Sequence, residues 1–253
     1  MIYMYRHYMK GGKRLSRRLV PRYQAIEDYL RGRIAAAQPG DLLPTDKELC
    51  DTFGVSRMTA RQAVSRLAEA GLVRREPGRG TFVSPPRLQR EIGVLLSFTR
   101  QMERLGRVAS SRMVERRTEP ATAEVAARLG LVPGEPVIRM RRIRLSDGIP
   151  TALELVLLPT ARFAWLLDID MERGSLHAAL ESRGVTPYAG DGSLTAEPAT
   201  TDDAHWLNLS TGTPLLVERL VLHDQDDRPI QVGETRYAGQ HYALEFHLHR
   251  TTP

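Results

Sequence analysis

Between Thr45 and Val83, helix-starting residues and glycine stops follow one another so closely that only short elements fit between them. Thr45 with Glu48 three residues on is a capping box, each side chain satisfying a backbone N–H of the first turn, and Asp46 suits the positive end of the helix dipole. The spacing predicts a helix from about Asp46 to Phe53. Gly54-Val55-Ser56 then turns the chain, Ser56 caps a further helix reaching about Ala70, and Gly71 stops it. Upstream, Tyr23, Ile26, Leu30 and Ile34 recur at helical spacing and give a first helix ending near Gln38-Pro39-Gly40. Downstream, Leu72–Val83 holds two β-prone runs around Pro77-Gly78, a hairpin signal. Three helices closed by a hairpin, with a Gly-containing turn between the second and third, describe a winged helix-turn-helix.

Charge divides along the same line. The 253 residues carry a formal net charge of +6, yet residues 1–86 carry +8 and residues 87–253 carry −2. A basic segment joined to a near-neutral one suits a polyanion-binding module attached to a domain with another task. At 42% hydrophobic and 26% charged residues the composition is that of a globular protein, which excludes disorder. No apolar run approaches the roughly 20 residues that cross a bilayer, so no membrane partner is expected. The first twenty residues are basic without an apolar core or cleavage site, and Cys50 is the single cysteine, both of which point to the cytoplasm. Nothing repeats at solenoid or propeller periods. The expected division is a basic arm over 1–19, the winged helix-turn-helix over 20–84, a linker over 85–91 around Pro85-Pro86, and a second domain over 92–250.

On the third helix, Ala60, Val64 and Leu67 form an apolar stripe, while Arg57 and Arg61 share another face with Thr59 nearby. Two guanidiniums and a hydroxyl suit phosphates and guanine edges in a major groove, although scattered arginines on a solvated helix would look the same. Arg79, between two glycines in the hairpin turn, and the segment's charge favour the nucleic-acid reading. Leu43-Pro44-Thr45-Asp46-Lys47-Glu48-Leu49, Phe53–Arg57, Thr59–Ala63, Gly71-Leu72 and Gly78–Val83 resemble, in order and spacing, the DNA-binding domain of GntR-type bacterial transcription regulators. The resemblance implies that Lys47, Arg57, Thr59 and Arg61 contact DNA and that Gly80 lies in the wing at the minor groove. Met58 stands where related proteins often carry Ser or Thr.

Beyond the linker, Thr122–Leu129 and Leu176–Ser182 read as helices. Val137–Leu145, Thr151–Leu158, Pro214–His223, Pro229–Tyr237 and Tyr242–His249 read as strands, giving an α+β domain on an antiparallel sheet. In the run Val137–Leu145, alternation puts Arg142 and Arg144 on one face with Ile138 and Met140, and Arg139 and Arg141 on the other. Whichever face is covered receives two cations, which need an anion unless one pair snorkels to solvent. Glu154 shares a face with Ala152, Val156 and Leu158 and needs Arg144 or a ligand hydroxyl as partner.

This part is similar to the effector-binding UTRA domain of the HutC subfamily, whose fold resembles chorismate lyase. The likeness rests on Ser97-Phe98-Thr99, Met102, Leu105-Gly106, the Arg142/Arg144 strand, Asp147–Pro150, Glu154, Leu158-Pro159, Ser175-Leu176 and Tyr237-Ala238-Gly239. It implies that Ser97, Arg142, Arg144 and Ser175 hold an anionic group, with Glu154 and Tyr237 nearer the polar body of a small effector. His177 stands where amino-sugar-phosphate sensors tend to have Tyr, Gln231 where they have Glu, and Gln240 where they have Asp. An amino sugar's cation would lack its acidic partner at Gln231, so an anion-bearing effector such as a sugar phosphate or organic acid is expected.

The combined expectation is a homodimeric, effector-released repressor on operator DNA, with no catalytic residues, cofactor or metal. The alternative is a lyase-type enzyme of chorismate-lyase-like fold carrying a DNA-binding module, although no metal cluster, nucleophile elbow or phosphate-binding Gly-rich loop supports it. His241, His247 and His249 read as edge-strand residues and Cys50 as a small core residue.

Overall fold

A computed structural model describes residues 21–76, 78–85, 87–91 and 93–245. They fall into two units, one ending at Ser84 and the other beginning at Pro85. The basic arm, His247 and His249 lie outside the described residues.

In the first unit, helices α1 (Arg22–Ala35), α2 (Asp46–Phe53) and α3 (Arg57–Glu69) precede strands β1 (Val73–Glu76) and β2 (Gly80–Val83), paired antiparallel. Thr45 Oγ1 accepts from the Glu48 N–H at 3.2 Å and the Glu48 carboxylate accepts from the Thr45 N–H at 2.8 Å, closing the capping box. Gly54 takes the left-handed conformation that ends α2, and the Ser56 hydroxyl accepts from Thr59 N–H to start α3. Ile26, Leu30, Leu49, Ala60, Val64 and Leu67 meet in one core, with Cys50 packed against it. Burying each of the Ile, Leu and Val side chains among them contributes about 1.5–3 kcal/mol. One contact has no sequence pattern behind it. Leu42 bridges Phe82, and the Leu43 N–H donates to the Thr81 carbonyl at 2.8 Å, tying the hairpin to the loop before α2.

The second unit begins with β3 (Leu88–Glu91), α4 (Phe98–Arg104), β4 (Ala109–Pro120) and α5 (Ala123–Leu129). A long hairpin follows, β5 (Pro136–Ser146) and β6 (Ile149–Pro159), then α6 (Thr160–Phe163), a 3-10 turn at Ala164–Leu167 and α7 (Leu176–Glu181). β7 (Pro187–Pro198), α8 (Thr201–Leu207), β8 (Pro214–Asp224), β9 (Pro229–Ala238) and β10 (Tyr242–Glu245) complete it. Six strands form one antiparallel sheet in the order β4-β5-β6-β9-β8-β7. β3 and β10 pair in parallel apart from it, so the stretch expected as linker holds a strand of the second unit, with Leu88 buried. No helix of the described residues is long and apolar enough to cross a membrane.

Both faces of the sheet are covered over its central strands. On one, Ile138, Met140, Val156 and Leu158 pack against Phe163, Leu166, Leu176 and Leu180. On the other, Ile143, Leu153 and Val217 pack beneath Leu207 of α8, and Val137 and Leu157 beneath Ala126 and Leu129 of α5. The four arginines of β5 therefore meet two different fates. Arg139 pairs with Glu115 and Glu119 of neighbouring β4 and Arg141 with Asp202 of α8, all half-buried or exposed. Arg142 and Arg144 are 1% and 3% exposed on the first face.

Candidate functional site

Two groups of residues stand out, one in each unit. In the first unit, Lys47, Arg57, Met58, Arg61 and Gly80 line one exposed concavity between the starts of α2 and α3 and the hairpin. Neither Arg57 nor Lys47 has an ion-pair partner among the described residues, so both cations are available to phosphate. The Thr59 hydroxyl lies 3.0 Å from Ser56 Oγ, shared between cap and solvent. Arg79 donates to Glu76 at 2.5 Å and lies over the Phe82 ring, which directs it from the hairpin turn. Gly80 has φ +128°, and a Cβ there would meet Leu42 Cδ1 at 2.7 Å, so the wing's close turn needs glycine. Met58 is 74% exposed and puts an apolar side chain rather than a hydroxyl into this concavity. Arg75 lines the same concavity and was not expected from the sequence, because only the pairing of β1 with β2 brings it there.

In the second unit, Ser97, Arg142, Arg144, Glu154, Ser175, His177, Gln231 and Tyr237 all line one cavity of about 70 Å³. Strand register explains the convergence. Arg142 on β5 is paired with Glu154 on β6, Glu154 with Thr235 on β9, and Thr235 with Glu218 on β8, a polar row crossing four strands on one face. Cross-strand partners project to the same side, so residues from distant parts of the chain share one floor. Ser97 and Ser175 cap α4 and α7 from above, each hydroxyl accepting from its helix backbone and keeping its own O–H to donate.

The cavity's charges are unequally matched. Arg142 donates to Glu154 Oε2 through Nε at 2.9 Å and also through Nη2. Arg144 comes only to 4.0 Å of the same oxygen; its Nε and Nη1 are buried with no hydrogen-bond acceptor, while the Phe98 ring lies 4.5 Å below its guanidinium. Burial, assisted by neighbouring Arg142, lowers the Arg144 pKa to about 10 against the pull of Glu154. Burial pushes the Glu154 carboxyl up, but Arg142 and Arg144 outweigh it and hold the group below its ordinary value. Burial pushes His177 down, opposed by Glu154 and Glu181. The Tyr237 hydroxyl donates to Glu218 at 3.1 Å, and its ring stacks on Tyr242 at 3.9 Å. Gln231 Oε1 is buried without a donor. A desolvated cation with unused N–H groups beside two spare hydroxyls is the chemistry of an anion site.

Glu218, Phe98 and Thr235 also line this cavity and were missed from the sequence. Glu218 and Thr235 become visible once β8 and β9 are registered against β6, which a lone sequence does not give. Among the described residues no three metal-ligating side chains come together, and His241 is engaged by Gln240.

Residues 104–243 match the UTRA domain, and residues 22–83 match the bacterial regulatory proteins of the gntR family. The chain is 31% identical over 234 residues to the HTH-type transcriptional repressor NagR of Bacillus subtilis, covering 91% of this chain and 96% of that one. It is 28% identical to the HTH-type transcriptional repressor PhnF of Mycolicibacterium smegmatis, over 90% of this chain and 93% of that one. The crystal structure of PhnF from Mycobacterium smegmatis superposes with a TM-score of 0.64 at 28% identity, covering 89% of this chain and all of that one.

Proposed function

Because this chain belongs to the gntR family of bacterial regulatory proteins and carries a UTRA domain behind its winged helix-turn-helix, we propose that it is a repressor released by a small anionic metabolite. It binds operator DNA as a homodimer in the cytoplasm. Two half-site contacts related by a two-fold axis supply the affinity that one winged helix lacks. Arg57, Arg61 and Thr59 read the major groove, Lys47 holds phosphate, and Arg79 with Gly80 brings the wing to the minor groove. Met58 offers an apolar contact, suited to a thymine methyl, where a hydroxyl would offer a hydrogen bond.

The observation that carries the effector reading is Arg144, buried with two N–H-bearing nitrogens unsatisfied. A sugar phosphate or organic acid supplies the missing acceptor, with Ser97, Ser175 and Arg142 around the anion. Gln231 and Tyr237 meet its polar body, with Glu154 and His177 at the boundary. The cavity of about 70 Å³ is smaller than such a ligand, since small-molecule sites run from roughly 300 Å³ upward. A ligand that favours one arrangement of this lining over another shifts the population toward it. NagR and PhnF are named as transcriptional repressors, which supports the direction of control and leaves the lyase alternative without support.

The test is thermal denaturation against a panel of sugar phosphates and small acids, repeated with Arg144→Ala. A compound that raises Tm in the wild type and not in the variant establishes ligand class and cavity together. A panel-wide absence of shift, or a shift retained in the variant, overturns the reading.

A further inference from the structure

Asp46 opens α2, where the sequence accounts for it as a negative charge at a helix start. In the folded unit its two oxygens have separate partners. Oδ1 accepts from Arg75 Nη2 on β1 at 3.1 Å, and Oδ2 lies 3.5 Å from Arg61 Nε on α3. One carboxylate thus joins α2, the third helix and the wing strand across the concavity that Lys47, Arg57 and Gly80 also line.

We infer that Asp46 is a positioning residue for DNA reading, its ion pair on the Nε side of Arg61 biasing the guanidinium so that both terminal nitrogens of its fork face a guanine edge. The inference rests on the reading above that Arg61 touches bases. Arg61 has no other ion-pair or hydrogen-bond partner among the described residues, so its terminal nitrogens are uncommitted. Guanine O6 and N7 accept side by side, and a guanidinium meets them with two parallel N–H groups. The ion pair on the Nε side biases that pair outward and restricts rotamer freedom that binding would otherwise have to remove. Without the ion pair, Arg61 and Arg75 turn to the nearest phosphates, contacts that carry no sequence information. The pair is largely exposed, with the Arg61 side chain 64% accessible. Exposed pairs add little to stability, so the effect belongs to discrimination between sequences rather than to folding.

The direction of the effect separates this role from simple charge repulsion. Asp46→Asn removes a negative charge beside a polyanion, and repulsion alone would make binding to every duplex tighter. Positioning makes binding to the preferred duplex weaker while binding to unrelated DNA stays level or tightens. The probe is a duplex selected by the wild-type full-length protein from a randomised pool, with an unrelated duplex of equal length as reference. For Asp46→Asn, a selected-duplex Kd about 10-fold higher is expected, within the discrimination that one bidentate arginine–guanine pair supplies. Asp46→Asn added to Arg61→Ala should cost nothing further. Asp46→Glu, which keeps the charge and the helix-start preference but shifts the carboxylate by one methylene, should lose selectivity without changing affinity for the reference duplex. It decides the case if Asp46→Asn loses both duplexes through misfolding. Equal tightening on both duplexes, or unchanged selectivity in Asp46→Glu or in a folded Asp46→Asn, overturns the inference. Selectivity unchanged in Arg61→Ala overturns the reading of Arg61 itself, whereas selectivity lost in Arg61→Ala and kept in Asp46→Asn removes the role of Asp46 alone.

Discussion

Arg144 Nη1 lies 4.0 Å from Glu154 Oε2, an oxygen that Arg142 already holds through two nitrogens. One carboxylate therefore serves two buried guanidiniums and satisfies the hydrogen-bonding of one. The unit folds with the other left short of an acceptor, a cost that a ligand anion would offset.

That asymmetry makes Arg144 a residue whose loss should stabilise the protein. Unsatisfied buried donors cost about 1–3 kcal/mol, and methionine nearly matches the arginine stem in volume while lacking donors. Arg144→Met should raise the unfolding free energy by about 1 kcal/mol or more, measured by urea denaturation, and abolish any Tm shift with ligand. A destabilised variant would mean that the guanidinium is satisfied in solution.

Glu154 behaves oppositely. Removing it leaves Arg142, 1% exposed, without its carboxylate, and stranding one partner of a buried ion pair costs about 3–5 kcal/mol. Glu154→Leu should destabilise the protein on that scale, far beyond Arg144→Met. Linkage gives a pH signature for the wild type. The folded carboxyl has a pKa below the ordinary value of 4.5 because Arg142 and Arg144 outweigh burial. Its stabilisation is complete above that ordinary value and is lost as pH falls toward the depressed folded value. Denaturation midpoints at pH 5.5 and 4 should differ more in the wild type than in the variant.

How much of this was legible in the residues follows from what each element faces. The first unit was read nearly to the residue, because Thr45, Gly54, Ser56 and Gly71 mark helix ends by local chemistry that needs no tertiary partner. The buried strands β5, β6, β8 and β9 announced themselves by apolar runs. The edge strands β4 and β7 did not. Neither carries a clean apolar face to alternate against a polar one: β7 is exposed on both faces along nearly its whole length, and β4 is half-buried on both. All eight cavity residues expected from the family resemblance converge, whereas composition and spacing alone reached only Arg142, Arg144 and Glu154 as a group. Glu218 escaped because its place beside Tyr237 depends on register between strands 19 residues apart. Asp46 was seen as a helix-start charge only, since its arginine partners come from α3 and from a strand 29 residues away.

Gly80→Ala separates backbone strain from steric contact. The Leu42 Cδ1 that a Cβ would meet at 2.7 Å belongs to a flexible side chain 57% exposed, so it can swing aside. The φ of +128° cannot relax so cheaply, and holding a non-glycine residue there costs about 1–3 kcal/mol. Circular dichroism melts should show that loss. Leu42→Ala combined with Gly80→Ala should recover little of it; full recovery would assign the glycine to the contact instead.

His177 should couple effector binding to proton uptake. Burial lowers its pKa from 6.5, with Glu154 and Glu181 pulling back and Arg142 and Arg100 adding to the fall. In the unliganded protein the folded state thus resists protonation, and stability should decline as pH drops through the unfolded value near 6.5. An anion arriving beside the ring reverses the balance and raises the pKa in the complex. Binding then takes up a fraction of a proton, and affinity for an effector whose own charge is fixed should increase from pH 8 to pH 6. Isothermal titration in two buffers of different ionisation enthalpy reads the uptake directly. His177→Gln, which keeps a hydrogen-bonding side chain that does not titrate, should abolish both the uptake and the pH slope; a slope that survives in the variant would place the proton on another group.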